Sequence, residues 1–433
     1  MVNRSILFIT YFFPPINSSA SIRSANYVRG LSKAGWHIDV LTIHCSPYNN
    51  LDPALTSIIS NLPNVCIHRT YPGLLDNIVL REKRKIQDNN MRFINEKPKG
   101  VSCGVRNFGK RIYKLICVPD KIIGWYPFAL TEGIKLFKKN KYDLIFSSCP
   151  SLSTHLIANT LKKKNDIPWV MSINDPLSHN PTWKENKLRT LILEKIEKVL
   201  LKRVDTIITT TNETRKAYLQ TYPFLTPSKI HTVLGGFNPL DFDGLKDEKP
   251  NNFRIVYTGE IETTRGSVQP FFQAIKKLTK ESLSFFNDLE IFIVGGSSRK
   301  EKIEIPNYLK KKIFFLPPVS FRESLKYMLN ASILLIWGNR GGLQIPLKVY
   351  YYMGAKKPIM IILGDKDDPL SKLLENTDRS IIVNNNELEI MIALKRLYKF
   401  YQEKKLDQKF NLSEIKDYTW QEAVKKLERI LPC

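Results

Sequence analysis

No run of about 20 apolar residues occurs anywhere in the 433-residue chain, which leaves no segment suited to span a bilayer as a helix. Cysteine is sparse and scattered, with six thiols (Cys45, Cys66, Cys103, Cys117, Cys149 and Cys433) and no CxxC pair. That spacing excludes a disulfide framework and a structural zinc site as organising devices, and buried free thiols are expected. The apolar run Ile6 to Phe13 stops at Pro14-Pro15. It is too short for the apolar core and cleavage site of a secretory signal, so a cytoplasmic chain is expected. Zinc-finger, RNA-recognition and basic-zipper signatures are missing, and no nucleic-acid partner is expected. Carboxylates are the scarce charge: 41 Asp and Glu stand against 66 Lys and Arg, a formal net charge of +25. Such an excess calls for a phosphorylated substrate or an anionic membrane surface as partner, or else reflects lysines spread over a solvated surface.

What is present reads as two α/β series. Ser5 to Thr10 is a buried strand, Tyr11 to Ala20 a loop, Ile22 to Ala34 a helix closed by Gly35, and His37 to Thr42 a second strand. This order opens a parallel α/β domain, whose ligand site lies at the C-terminal ends of its strands. Asn17, Ser18 and Ser19 then stand where a ligand would meet backbone and hydroxyl donors, or form an ordinary polar loop with a helix cap. Tyr142 to Ser148 and Pro168 to Ile173 are further strands, and the second runs into Asn174-Asp175-Pro176. Asp175 is either a positioned acid or base at a strand end, or a turn-former before proline. Between these elements Arg81 to Asp120 carries 11 basic and 4 acidic residues. Its stretch Phe108 to Ile116 interleaves apolar and basic side chains, as a segment lying on an anionic surface does, or as an exposed insertion does.

Turn residues from 235 to 250 mark a linker. Beyond it come strands at Phe253 to Gly259, Leu289 to Gly296 and Ile313 to Leu316, with a helix from Val268 to Lys280. The stretch Trp337 to Pro358, WGNRGGLQIPLKVYYYMGAKKP, follows the apolar run Ala331 to Ile336. It joins a strand end, a glycine turn at Gly341-Gly342 and a short helix on which Lys348, Tyr351 and Tyr352 share a face at i, i+3 and i+4. A lysine beside a helix start after a strand suits an anion. Arg265, beyond Gly259, is the basic residue of the neighbouring loop, so Arg265 and Lys348 are expected to clamp a diphosphate from two loops of one domain. Asp365-Lys366-Asp367 has the form of a metal-binding DxD motif but is read as a loop, and no metal site or cofactor is expected.

Taken in order, these motifs resemble the family 4 retaining glycosyltransferases of the GT-B fold over nearly the whole chain. ILFITYFFPPINSSASIRSANYVRGLSKAGWHIDVLT is similar to the family's opening. PDKIIGWYP, SSCPSLSTHLIA, PWVMSINDP, VYTGEIETTRG and IPLKVYYYMGAKKPIM look like the subgroup acting in bacterial surface-polysaccharide assembly. The resemblance implies two doubly wound Rossmann-like domains facing across a cleft: residues 1–235 for the acceptor, 236–415 for a nucleotide-sugar, and a helix at 416–433 crossing back to the first. It implies metal-independent transfer to a lipid-linked or saccharide acceptor by a cytoplasmic protein, peripheral on the membrane's inner face. Gly259, Arg265, Gly342, Lys348 and Tyr351 would hold the donor, and Asp175 matches the aspartate of an Arg-Asp-Pro stretch near the acceptor. Two departures stand out. The family's glutamate pair falls at Leu343 and Tyr351, and its N-terminal glycines at Asn17, Ser18 and Ser19. A catalytically inactive GT-B scaffold, or a sugar-nucleotide epimerase, would also fit these substitutions.

Overall fold

The computed structural model describes residues 4–73 apart from 47 and 49, 117–178 apart from 149, 187–261, 267–296, and 303–432 apart from 376. The first series is β1 (Ser5–Thr10), α1 (Ser19–Lys33), β2 (His37–Ile43), β3 (Val65–Thr70), α2 (Tyr126–Lys139), β4 (Leu144–Ser148), α3 (Leu152–Asn165), β5 (Trp169–Ile173), α4 (Lys187–Arg203), β6 (Thr206–Thr209), α5 (Asn212–Thr221) and β7 (Ile230–Thr232). These strands form one parallel sheet in the order β3-β2-β1-β4-β5-β6-β7. Every residue of β4, β5 and β6 is buried, as near-continuous apolar runs such as Trp169-Val170-Met171 require of strands covered on both faces. α1 ends where the sequence placed its stop. Gly35 adopts φ +94, its N–H donates to Ser32 O at 3.0 Å, and Trp36 N donates to Leu31 O at 3.1 Å. That is the paired closure a C-terminal glycine permits.

After the linker come β8 (Phe253–Thr258), α6 (Gln269–Glu281), α7 (Leu283–Asp288), β9 (Leu289–Val294), β10 (Ile313–Leu316), α8 (Phe321–Leu329), β11 (Ile333–Trp337), α9 (Lys348–Gly354), β12 (Ile359–Ile362), α10 (Pro369–Leu374), β13 (Ser380–Val383), α11 (Glu387–Gln402), α12 (Leu406–Lys409) and α13 (Trp420–Glu428). Their strands form a second parallel sheet, ordered β10-β9-β8-β11-β12-β13. α13 packs on α1 of the first domain, with Trp420 edge-on to Tyr27 at 5.7 Å and the Arg23 guanidinium 5.6 Å from the Trp420 ring.

In each sheet the strand order reverses at one place, between β1 and β4 and between β8 and β11. Crevices beyond the strand ends open at these switch points. The loop after β1 holds Asn17, Ser18 and Ser19; the loops after β8 and β11 hold Gly259 and the segment leading to Lys348. Among the described residues no helix is long and apolar enough to cross a membrane.

Candidate active site in the interdomain cleft

The floor of the cleft is built by two glycine turns. Gly259, at φ +109, and Gly295, at φ +121, end β8 and β9. Gly259 N donates to Val294 O at 2.6 Å, and a Cβ on Gly295 would come within 2.7 Å of the Gly259 backbone. Only glycine allows both the left-handed backbone and this approach.

Lys348 crosses from α9 to this floor. Its Nζ lies 3.9 Å from the centroid of the Tyr257 ring and would be 2.4 Å from a Cβ on Gly259. Tyr257 is itself fixed: its hydroxyl donates to Glu260 O at 3.0 Å, and its ring meets Trp337 at 4.7 Å. The ring face of Tyr257 gives the Lys348 ammonium a cation–π contact at the cleft floor. Tyr352, one turn on, is fully buried and receives Thr258 N at 2.9 Å, which ties α9 to the end of β8. α9 has only seven residues, so the ammonium rather than the helix terminus is the main positive element here.

A cavity of about 420 Å³ spans the cleft above this floor. Asn17, Ser19 and Asn50 line it from the first domain, and Gly259, Lys348 and Tyr351 from the second, together with Pro318, Val319 and Phe321. Asn17 Nδ2 donates to Val319 O at 3.4 Å, crossing the cleft. Ser18 turns the other way and caps α1, accepting from Ser21 N at 3.1 Å. Glu260 is exposed at the cavity's edge. Gly342 is buried in the turn after β11, where a Cβ would meet Asn339 O at 2.5 Å, and it does not line the cavity.

Tyr351 lines the cavity yet is 2% exposed, and its hydroxyl receives Trp420 Nε1 at 3.3 Å. Burial pushes its phenol far up, so it stays neutral. The Phe321 ring stands edge-on to it at 5.1 Å. The other position of the glutamate pair, Leu343, offers its backbone instead: Leu343 O accepts from Thr214 Oγ1 at 2.9 Å and from Thr211 Oγ1, both at the start of α5 in the first domain. The carboxylates of Asp365 and Asp368 accept from nearby backbone N–H groups, Asp367 N among them. Asp365 accepts from Gly341 N, and Asp368 accepts from Gly364 N and from Leu370 N at the start of α10.

Asp175 is half-buried in a loop pinned on both sides. Asn174 O accepts from Thr210 Oγ1 at 3.0 Å, Leu177 N donates to Tyr218 OH at 3.2 Å, and Ser178 N donates to Glu197 Oε2 at 3.2 Å. Glu197, 1% exposed, also receives the hydroxyls of Tyr218 and Tyr222. Sequence reasoning missed Glu197, although its spacing was informative. It falls at i+4 from Leu193 and i−3 from Leu200, on the stripe α4 buries. Arg265 and the segment 108–116 lie outside the described residues.

Residues 93–239 match the family model described as Glycosyltransferase Family 4. A comparison with curated protein sequences gave no match. Among solved structures, Anabaena Alr3699/HepE in complex with UDP and glucose is 11% identical, covers 99% of both chains and superposes with a TM-score of 0.62. A glycosyltransferase from Rickettsia africae is 13% identical over 99% of this chain and 98% of that one, with a TM-score of 0.60. The S. aureus MnaA–UDP structure is 12% identical over 98% and 95%, with a TM-score of 0.52. The fold is GT-B, and the similarity to the family 4 model is confined to residues 93–239.

Proposed function

We propose that this GT-B glycosyltransferase moves a sugar from a nucleotide-sugar onto a lipid-linked or saccharide acceptor in bacterial surface-polysaccharide assembly, with retention of configuration and without a metal. A UDP-sugar is the donor to test first, since UDP occupies the Anabaena and S. aureus proteins of the same fold. One observation carries the reading: the Lys348 ammonium stands at the Gly259 turn, on the floor of a cavity that both domains line. When the bond between the sugar's anomeric carbon and the diphosphate breaks, its electron pair leaves with the diphosphate. A fixed, partly desolvated cation at that point stabilises the charge as it develops. We assign Arg265 to the same diphosphate from the adjoining loop. Asp175 is assigned to orient the acceptor hydroxyl, which attacks on the face the leaving group departs from.

Tyr351 motivates a second reading, that of a GT-B protein without turnover. Its hydroxyl already receives Trp420, so the ribose meets a neutral, engaged phenol where relatives of the resembled family offer a carboxylate. Calorimetric titration with UDP-, GDP- and dTDP-sugars separates the two. A transferase gives saturable binding to one base, and Lys348→Met weakens it by about tenfold or more while abolishing transfer. Absence of binding to every donor favours the scaffold, and conversion of a UDP-sugar without acceptor favours an epimerase.

A further inference from the structure

We propose that the outward face of α4 is a docking surface for an anionic lipid bilayer. Its sequence, KLRTLILEKIEKVLLKR, is apolar on two sides. Leu193, Glu197, Leu200 and Leu201 form the buried stripe. On the opposite side Leu188 is 66% exposed, Leu191 54% and Val199 48%, with Ile192 exposed beside them. Lys195 and Lys198 are exposed on the same side and form no ion pair among the described residues. At 100° per residue the six side chains fall within an arc of about 120°.

The helix's two carboxylates are kept off this arc: Glu197 is buried, and Glu194 is half-buried on the flank. A solvated helix face ordinarily mixes both charges and holds few large aliphatics. Four aliphatics with cations alone make the composition of a helix that lies in a membrane interface. The chain's net charge of +25 is the complement of an anionic leaflet.

The position of the helix adds a reason for the contact. The inner face of α4 carries Glu197, which receives Ser178 and so fixes the 174–178 loop. A bilayer against the outer face lies one helix away from Asp175, where a lipid-linked acceptor is needed; this last step rests on the acceptor reading above, and the docking itself does not.

The test is partition of the full chain onto vesicles of phosphatidylcholine and onto vesicles enriched in phosphatidylglycerol. The chain is expected to bind the second kind only, and more weakly as salt rises. The pair Leu188→Gln with Leu191→Gln, and the pair Lys195→Gln with Lys198→Gln, should each lower partition by about tenfold or more. Both pairs should leave the unfolding temperature and donor titration unchanged, since all four side chains point into solvent. Wild-type indifference to anionic vesicles overturns the proposal. So does unchanged binding in both pairs, which places docking elsewhere, such as at 108–116. A stable dimer that Leu188→Gln with Leu191→Gln breaks also overturns it, because a second copy then covers the face. Partition is read without turnover, so a failure of the transferase reading leaves this result interpretable.

Discussion

His155 sits on α3 with no exposure, its Nδ1 2.8 Å from Ser147 Oγ, and the same oxygen receives Trp169 Nε1 at 2.7 Å. Burial pushes the imidazole down to about 3, so it is neutral in the folded protein at any ordinary pH. In the unfolded chain it titrates near pH 6.5. Below that pH the unfolded state binds a proton that the folded state refuses. Stability therefore falls as pH drops from about 6.5 toward 3, by up to about 1.4 kcal/mol per pH unit from this group alone. Urea unfolding at pH 7 and pH 5 checks this by comparing wild type with His155→Leu. The variant is less stable at pH 7, having lost the Ser147 bond, but its loss between the two pH values should be smaller by about 2 kcal/mol. Equal losses in the two proteins would show that His155 contributes nothing to the acid sensitivity.

At the scale of elements, α4 is where sequence and structure part most instructively. Its sequence shows only a long helical pattern with mixed charge, and one of its carboxylates, Glu197, is the acceptor that gathers Ser178, Tyr218 and Tyr222 beneath the Asp175 loop. Burial pushes the Tyr218 phenol well up, with the Glu197 charge adding to it, so the hydroxyl remains a donor throughout the working pH range. Glu197→Gln keeps the shape but places an amide donor among donors. It should destabilise the protein by about 1–3 kcal/mol and lower kcat for transfer more than it changes donor affinity. Unfolding curves and steady-state kinetics on one preparation check both, and an unchanged kcat would separate the loop from turnover. Elements with strong local signals were legible: β1, α1 with its Gly35 stop, β5, and the turn before α9 with the lysine that opens it. Those signals arise within a few residues. β13, β3 and the partners of Lys348 were not legible, because each depends on a neighbour far along the chain. The Tyr257 ring beneath the lysine is 91 positions away, and nothing at either site announces the other.

For the whole molecule the same limit applies to the closure of the cleft. Asp52 caps the 3-10 turn Pro53–Ile58, its Oδ1 accepting from Ala54 N at 3.0 Å. Its other oxygen accepts from Phe321 N, the first residue of α8 in the second domain, and the side chain is 3% exposed. Phe321 lies against Tyr351 and lines the cavity, so this bond ties the first domain to the pocket wall. The opposite side of the interface is held by Thr211 and Thr214 on Leu343 O, and by Lys372 with Glu213 at 3.1 Å. That last pair is exposed on the lysine side and adds little. Asp52→Asn isolates the cross-domain bond, since asparagine caps as well as aspartate but turns an amide donor toward the Phe321 N–H. Losing a charge-assisted bond and leaving that N–H unmatched costs about 1.5–3 kcal/mol, which acts on the closed form alone. Small-angle scattering of the Asn variant should then show a larger radius of gyration without donor. Donor affinity should fall by about tenfold or more, while the unfolding of each domain is little changed. A variant as compact as wild type that binds donor equally well would mean that the closed arrangement is held without Asp52. The threonine contacts to Leu343 would then be the ones to break next.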